Sequence, residues 1–367
     1  MKMLKLSTAL IVGVFTLKAT QPAGVVAHEW GTFTSVAKAD GAPVTWATLA
    51  GSGDLPCFVS GLGPTKGELA GLVRMETPVL YFYSAHPATL SVHVSFPHGW
   101  VTEWYPKARV ASDGPFVNGK IGWDTVEVVP GANPEFPVTK GPSRYFAARN
   151  TDAAPLRVGD QQEKFLFYRG VGGFQVPVRP KYLSDGKLEI RNAGPDPIPL
   201  AIVFENRARK IGYRVAGKIV DSVTVDPPAM TGDLQQLRQT LVRQLAEFGL
   251  HQKEAEAMIE TWRDSWFEEG ARVLYIYPQQ QVDALLPLSI EPKPTSTTRV
   301  FVGRAEVLSP WTRDTIQAAM TADDVPALKQ FGRFLEPFLK QMQTNPASLQ
   351  TVLLRVRQAS NIGNCVQ

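Results

Sequence analysis

Cysteine and histidine are scarce in this sequence, with two cysteines and five histidines among 367 residues. No Cys-x-x-Cys pair and no cluster of cysteine with histidine occurs, which excludes a structural zinc site of the finger type. The Gly-x-Ser-x-Gly elbow of serine hydrolases, the Walker phosphate loop and the dinucleotide fingerprint are also missing. The few histidines are therefore the first residues to consider for chemistry.

A predicted signal peptide occupies residues 1–27. Its apolar core, Leu6–Leu17, is shorter than the roughly 20 residues that a membrane-spanning helix needs. Val25 and Ala27 fit the small-residue rule at positions −3 and −1 of a cleavage site. We therefore expect a secreted or periplasmic protein that begins at His28 and has no transmembrane span after cleavage.

Cleavage at this point would also remove most of the net positive charge. Lys2, Lys5 and Lys18 leave and no acidic residue does, so 38 basic residues become 35 against 34 acidic ones, a net charge of +1. Basic residues are not interleaved with aromatic ones in any run, so nucleic acid is not an expected partner. A polymeric and a small-molecule ligand both stay open.

The two cysteines, Cys57 and Cys365, form an even pair in a chain that we expect to be exported. Exported proteins meet an oxidising environment, where such a pair readily forms a disulfide. We predict this disulfide, which would tie the end of the chain to a loop near its beginning; two independent thiols are the alternative.

Residues 28–230 carry the pattern of short β-strands. In Thr89–Phe96, apolar residues alternate with Ser91, His93 and Ser95, as in a strand with one buried face. Turn residues separate many runs of this kind, which is typical of a sandwich or barrel. We predict a β-rich α+β fold with an antiparallel, sandwich-like domain over residues 28–230.

The pattern becomes helical over residues 231–270, where apolar residues recur every three or four positions. This predicts a helical hairpin inserted in the β body, which residues 271–308 then complete with further strands. Residues 309–367 are predicted to be C-terminal helices. Pro337 should kink or break the helix predicted over Val325–Gln343, because proline removes a backbone donor and clashes with the preceding turn.

Three segments carry a resemblance to known proteins: AHEWGTFTSV, FPHGWVTEWYP and TWRDSWFEEGARVLYIYP. Together they resemble a family of uncharacterised secreted bacterial proteins, and the likeness runs through most of the chain that would remain after cleavage. The resemblance implies secretion. It implies no activity, and it assigns no functional residue.

His28 is the residue that points to a specific chemistry. If it begins the mature chain, it offers two nitrogen ligands, the free α-amine and the imidazole. With a second imidazole this gives three nitrogens, a set that suits Cu(II). In this respect His28 alone resembles the histidine brace of the lytic polysaccharide monooxygenases and of some copper-binding periplasmic proteins. The sequence thus predicts copper as a cofactor, with oxidative chemistry as one consequence.

A second imidazole is needed for that site, and three of the other four histidines lie within residues 85–100. His93 is on the polar face of a predicted strand, and His98 lies in a Pro-His-Gly turn. We predict His28, His93 and His98 as the metal ligands, with His93 preferred. His251 lies between the two predicted helices and is interpreted as a solvated loop residue. For each histidine, a plain surface or hydrogen-bonded role is the alternative.

Acidic and aromatic residues give two other hypotheses. Glu29, Glu76 and Glu103 could supply a pair of carboxylates for glycoside hydrolysis. Trp262 and Trp266 share a helix face, which favours docking on the sheet over a lid above a ligand. Three classes of function therefore stay open: a copper-binding protein, a non-catalytic binding or structural protein of the cell envelope, and a carboxylate-dependent hydrolase.

Overall fold

The computed structural model describes residues 24–48, 55–62, 69–114, 116–141 and 143–358. Within these ranges the chain forms eighteen strands and seven α-helices. The strands are β1 (Val26–Val36), β2 (Ser60–Gly61), β3 (Val73–Tyr83), β4 (Ala88–Phe96), β5 (Gly99–Tyr105), β6 (Arg109–Ala111), β7 (Gly119–Val128), β8 (Leu156–Val158), β9 (Gln161–Glu163), β10 (Leu166–Gly172), β11 (Val178–Tyr182), β12 (Leu188–Asn192), β13 (Ile198–Arg207), β14 (Lys210–Ile219), β15 (Ser222–Val225), β16 (Gly270–Ile276), β17 (Leu288–Glu291) and β18 (Ser296–Val307).

The main sheet has nine strands in the order β14-β13-β16-β18-β1-β3-β10-β5-β2. β1 is central, pairing in parallel with β18 and antiparallel with β3. Val26, which precedes His28 by two residues, already pairs with Ser296 of β18 and Tyr83 of β3 in the sheet. The β-rich α+β class and the sandwich-like body are confirmed. The main sheet is mixed and not purely antiparallel as predicted, because the β1–β18 pair runs in parallel.

A second layer covers one face of the main sheet. It consists of a six-stranded sheet built around β4 and β7 and a three-stranded sheet of β11, β12 and β15. Apolar side chains of both layers form one core, with Phe33 and Phe82 from the main sheet and Val92 and Trp123 from the second layer. The alternation predicted for Thr89–Phe96 is confirmed, because apolar residues of β4 are buried and His93 is exposed. Burial of this shared apolar face joins the layers.

The opposite face of the main sheet is covered by the predicted helical hairpin, α1 (Leu234–Glu247) and α2 (Gln252–Trp266). Asp233 caps α1, since its carboxylate accepts hydrogen bonds from the backbone N–H groups of Gln235 and Gln236. Trp262 and Trp266 stack and are buried against the sheet, in a core that also contains Trp30 and Tyr81. Their predicted docking role is confirmed.

The remaining helices are α3 (Gln279–Leu285), α4 (Pro310–Thr321), α5 (Val325–Lys329), α6 (Leu335–Gln341) and α7 (Pro346–Gln358), with short 3-10 helices at Arg144–Arg149 and Gly332–Phe334. The last four α-helices form the predicted C-terminal helical segment around a third apolar cluster. The helix expected over Val325–Gln343 is indeed interrupted, but the break comes before Pro337, which lies in the first turn of α6. Proline is tolerated there because first-turn N–H groups have no partner within the helix.

Two sequence predictions fall on residues outside the described ranges. Cys365 and nearly all of the signal peptide lie outside the described ranges. Export and the disulfide between Cys57 and Cys365 therefore stay predictions. In the parts of the chain that the structure describes, no helix combines the length and apolar character needed to cross a membrane.

A buried ionic network lies under the second half of the hairpin. Glu306 accepts hydrogen bonds from the Nε atoms of Arg272 and Arg304, at 2.7 Å and 2.6 Å. Arg304 also binds Ser265 and Glu268, and its side chain is fully buried. Because Ser265 and Glu268 belong to the end of α2 and the turn after it, the network fixes that end of the hairpin to β16 and β18.

Candidate metal site

His28 lies near the start of β1 and faces the helical hairpin. Its neighbours across the sheet are Tyr81 on β3 and Thr298 on β18. Adjacent strand residues point to opposite faces, so Ala27 enters the core between the sheets while His28 turns toward α2. The residue is 5% exposed, and its ring meets Tyr83 edge-on at a centroid distance of 5.4 Å.

Glu254 supplies a buried carboxylate opposite His28. It lies in the first turn of α2, and it is fully buried. One oxygen, Oε2, lies 2.8 Å from His28 Nδ1 and accepts the backbone N–H of His251 at 2.7 Å. The other, Oε1, accepts the Tyr83 hydroxyl at 2.9 Å. Each oxygen therefore has a separate set of partners.

His251 is the N-cap residue of α2 and brings a second imidazole to the same place. Its ring centroid lies 4.5 Å from those of His28 and Tyr83. Ligand atoms of His28, His251 and Glu254 all lie within 4.8 Å of one another, and in the described ranges they form the group of three that could hold a metal ion. His251 is the open side of this group, since 52% of its side chain is exposed.

The negative charge of Glu254 has no lysine or arginine ion-pair partner among the described residues. A buried carboxylate is costly unless a positive charge or hydrogen bonds compensate it. Here the compensation comes from hydrogen bonds of the Tyr83 hydroxyl and the His251 N–H and from the two nearby imidazoles. Burial and the nearby Glu254 charge raise the pKa of Tyr83, so its hydroxyl stays protonated and donates.

The donor set itself is chemically specific. Two imidazole nitrogens and one carboxylate oxygen are the protein ligands of many catalytic zinc sites, and the same set occurs in non-haem iron(II) sites. Metal ligands bind in their deprotonated forms, so protons compete with the ion and binding strengthens as the pH rises. Three protein ligands leave at least one position of a tetrahedral ion open.

The structure separates His28 from the partners that the sequence predicted for it. His93 belongs to the second layer, where its exposed ring lies 3.9 Å from Asp124. His98 is in the turn between β4 and β5, where its carbonyl accepts the N–H of Gly173. His28 points to the hairpin side of the main sheet, away from that layer. Neither His93 nor His98 belongs to the metal-type group.

Sequence reasoning missed Glu254. It placed His251 correctly as an exposed residue between two helices, but it did not bring His251 next to His28. Both lie in the segment His251-Gln-Lys-Glu254, and a helix cap and its third following residue lie on the same side of the first turn. Glu254 is four residues before Met258, which is four before Trp262, so it continues the apolar stripe of α2. A carboxylate on a buried stripe is the signal that could have revealed it.

The backbone around His28 bears on the predicted free amine. Val26 and Ala27 form the start of β1 upstream of His28, and the carbonyl of Val25 just before the strand accepts the N–H of Thr295 at 2.8 Å. Cleavage after Ala27 would create the amine and would also remove these contacts. The side-chain group of His28, His251 and Glu254 needs no free amine.

The three acids considered for hydrolysis are all engaged in buried interactions. Glu29 binds Arg299 at 2.6 Å and accepts the Tyr168 hydroxyl. Glu103 accepts the hydroxyl of Thr102, and Glu76 binds Arg333. Glu29 and Glu76 face opposite sides of the main sheet. This arrangement favours structural ion pairs over two carboxylates that flank one substrate.

Glu76 gives a prediction about acid stability. Burial alone would raise its pKa, but the charges of Arg333 and Arg74 outweigh that effect and lower it from 4.5 to about 2. The ionised form therefore stabilises the fold above pH 4.5, and this contribution disappears as the pH falls toward 2. Between pH 7 and pH 3, the free energy of unfolding of wild type should fall by about 2 kcal/mol more than that of Glu76→Gln. Urea unfolding at the two pH values measures this difference.

The exposed Glu135→Gln is the control for that measurement, and it should keep the wild-type dependence on pH. If Glu76→Gln and wild type lose the same free energy of unfolding between the two pH values, the ion pair of Glu76 with Arg333 has no such role.

The family models gave no match, and neither did the curated proteins. Among solved structures, the chain is similar to the yeast delta-COP-I mu-homology domain, alone and complexed with a Dsl1 WxWxV peptide. Each is 8% identical, with 78% of this chain and 98% of that chain covered and a TM-score of 0.28. A likeness of this strength carries no argument, and the resemblance to a secreted bacterial family stays a prediction.

Proposed function

We propose that this is an exported metal-binding protein that holds a divalent transition metal ion with His28, His251 and Glu254. One observation carries the proposal. Two imidazoles and a fully buried carboxylate, from β1 and from the start of α2, bring their ligand atoms within 4.8 Å of one another. Zinc is the first candidate, because a His₂Glu set with an open position is a usual zinc environment.

The three ligands come from two separate parts of the fold. His28 belongs to the main sheet, while His251 and Glu254 belong to the hairpin, 226 residues further along the chain in the case of Glu254. A bound ion would therefore connect hairpin and sheet and stabilise the folded state by mass action. The exposed His251 provides the side from which an ion or an external ligand reaches the site.

Copper is the second candidate, because His28 is a member of the group and cleavage after Ala27 would add its α-amine as a nitrogen ligand. Nitrogen-rich sites suit Cu(II), which also leads the affinity order of the divalent ions. In this version His251 is the second imidazole, in place of His93 or His98. Oxidative chemistry would require copper at the site, whereas zinc supports binding or Lewis-acid chemistry.

The two versions differ in one measurable way, which is the need for a free amine at His28. We expect protein that begins at His28 and protein that begins at Ala27 to bind zinc with affinities within about threefold, since the side chains are the same. If the amine is a copper ligand, copper affinity should fall at least about tenfold in the longer protein. Titration of both proteins against a competing chelator measures both affinities.

N-terminal sequencing of the exported protein is the matching control, because it establishes which of the two forms exists in the cell. Equal copper affinities would contradict the amine-dependent version and leave the side-chain site intact. Loss of zinc affinity in the longer protein would contradict the side-chain site.

A further inference from the structure

Tyr83 contacts every member of the proposed metal group. Its hydroxyl donates to Glu254 Oε1 at 2.9 Å, and its ring packs edge-on against the rings of both His28 and His251. It lies on β3, directly beside the strand that carries His28. Because it comes from the sheet and Glu254 from the hairpin, its contacts are fixed by two separate elements.

The carboxylate of Glu254 has two oxygens with different surroundings. Oε1 accepts the Tyr83 hydroxyl, while Oε2 lies beside His28 Nδ1 and accepts the backbone N–H of His251. A carboxylate can bind a metal through one oxygen or through both. The Tyr83 hydrogen bond helps to fix the orientation of the carboxylate, with Oε2 on the side of His28 and His251.

We propose that Tyr83 is a positioning residue that holds Glu254 as a one-oxygen metal ligand. This inference rests on the proposed metal site. By occupying Oε1, Tyr83 directs Oε2 toward His28 and His251 and leaves a coordination position open for water or an external ligand. Partners of this kind orient the ligands of metal sites, and their removal typically lowers metal affinity 10- to 100-fold.

The substitution Tyr83→Phe separates positioning from packing. Phenylalanine keeps the ring that packs against both histidines and removes only the hydroxyl that binds Glu254. A matched control exists two residues away on the same strand and the same face. The Tyr81 hydroxyl is also buried and donates a hydrogen bond, but to the carbonyl oxygen of Ala148 at 2.7 Å. Tyr81→Phe therefore removes the same group without touching Glu254.

Cobalt(II) is the probe for this test, because it adopts zinc-like sites and its visible absorption reports the number and kind of ligands. We expect Tyr83→Phe to weaken cobalt binding at least about tenfold and to change the visible spectrum of the bound ion. Tyr81→Phe should keep affinity within about threefold and leave the spectrum unchanged. Urea unfolding in chelator shows how far each variant destabilises the fold, so that lost affinity is not mistaken for lost folding.

The outcomes distinguish this inference from the proposed function. If wild type binds cobalt through the three ligands and Tyr83→Phe has the same affinity and spectrum, the positioning role is wrong and the metal site stands. If both tyrosine variants lose affinity equally, the effect is one of stability and the positioning role is again wrong. If wild type binds no cobalt, the metal site and the inference both fail.

Discussion

Replacing Glu254 with glutamine should lower zinc affinity at least about 100-fold, equivalent to about 3 kcal/mol of binding free energy. The substitution keeps the size of the side chain and one oxygen, which can accept the hydrogen bond of Tyr83 or that of His251 but not both, because these go to different carboxylate oxygens. It removes the negative charge, which is the part of the ligand that attracts the ion into a buried place. The two imidazoles alone then remain as protein ligands.

The matched control is Glu256→Gln, because Glu256 is exposed on the same helix two residues further on. We expect this variant to bind zinc as wild type does. Both affinities are measured by competition with a chromophoric chelator at pH 7.5 and at lower pH. Since protons compete with the metal for its ligands, wild-type affinity should fall as the pH falls. Wild-type zinc affinity in Glu254→Gln would contradict the site.

The largest effect on stability is expected from Arg304→Met. The Arg304 side chain is fully buried and binds Glu306, Glu268 and Ser265. Methionine fills much of the same space but leaves Glu306 buried with one of its two arginine partners missing. Breaking a buried ion pair by removing one partner typically costs 3–5 kcal/mol, because the remaining charge stays uncompensated. We expect a loss of about that size in the free energy of unfolding.

Arg144→Met is the control for this second prediction. Arg144 also makes two ion pairs, with Glu260 and Asp264, but its side chain is 39% exposed. Ion pairs in contact with water contribute about 0–1 kcal/mol, so the control should lose no more than that. Urea unfolding in the presence of chelator measures both variants without a contribution from metal. A loss under 1 kcal/mol for Arg304→Met would show that the network compensates for its missing member.

The architecture was predictable where the sequence pattern is local. Alternation in Thr89–Phe96 and the helical period of α1 and α2 both reflect which side of one element is buried, and both predictions are confirmed. The parallel pairing of β1 with β18 was not predictable in this way. It joins residues about 270 positions apart, and no periodicity within either strand specifies its partner or its direction.

The candidate site shows the same limit. His28 stands out in the sequence through its position after a predicted cleavage point, but its partner depends on which layer covers which face of the sheet. His93 and His98 were predicted as ligands because they lie close together in the sequence. The fold instead turns His28 toward the hairpin and leaves His93 on the second layer. Glu254 and His251 become neighbours of His28 only when α2 packs on the main sheet.

The most direct test is X-ray absorption at the zinc edge, on exported protein loaded with one equivalent of zinc and on Glu254→Gln treated in the same way. Zinc bonds to histidine nitrogen at about 2.0–2.1 Å and to carboxylate oxygen at about 2.0–2.2 Å. We predict two imidazoles and at least one oxygen in the wild-type spectrum, and a different or missing first shell in the variant. A wild-type spectrum without two histidines, or the same spectrum from both proteins, would contradict a site formed by His28, His251 and Glu254.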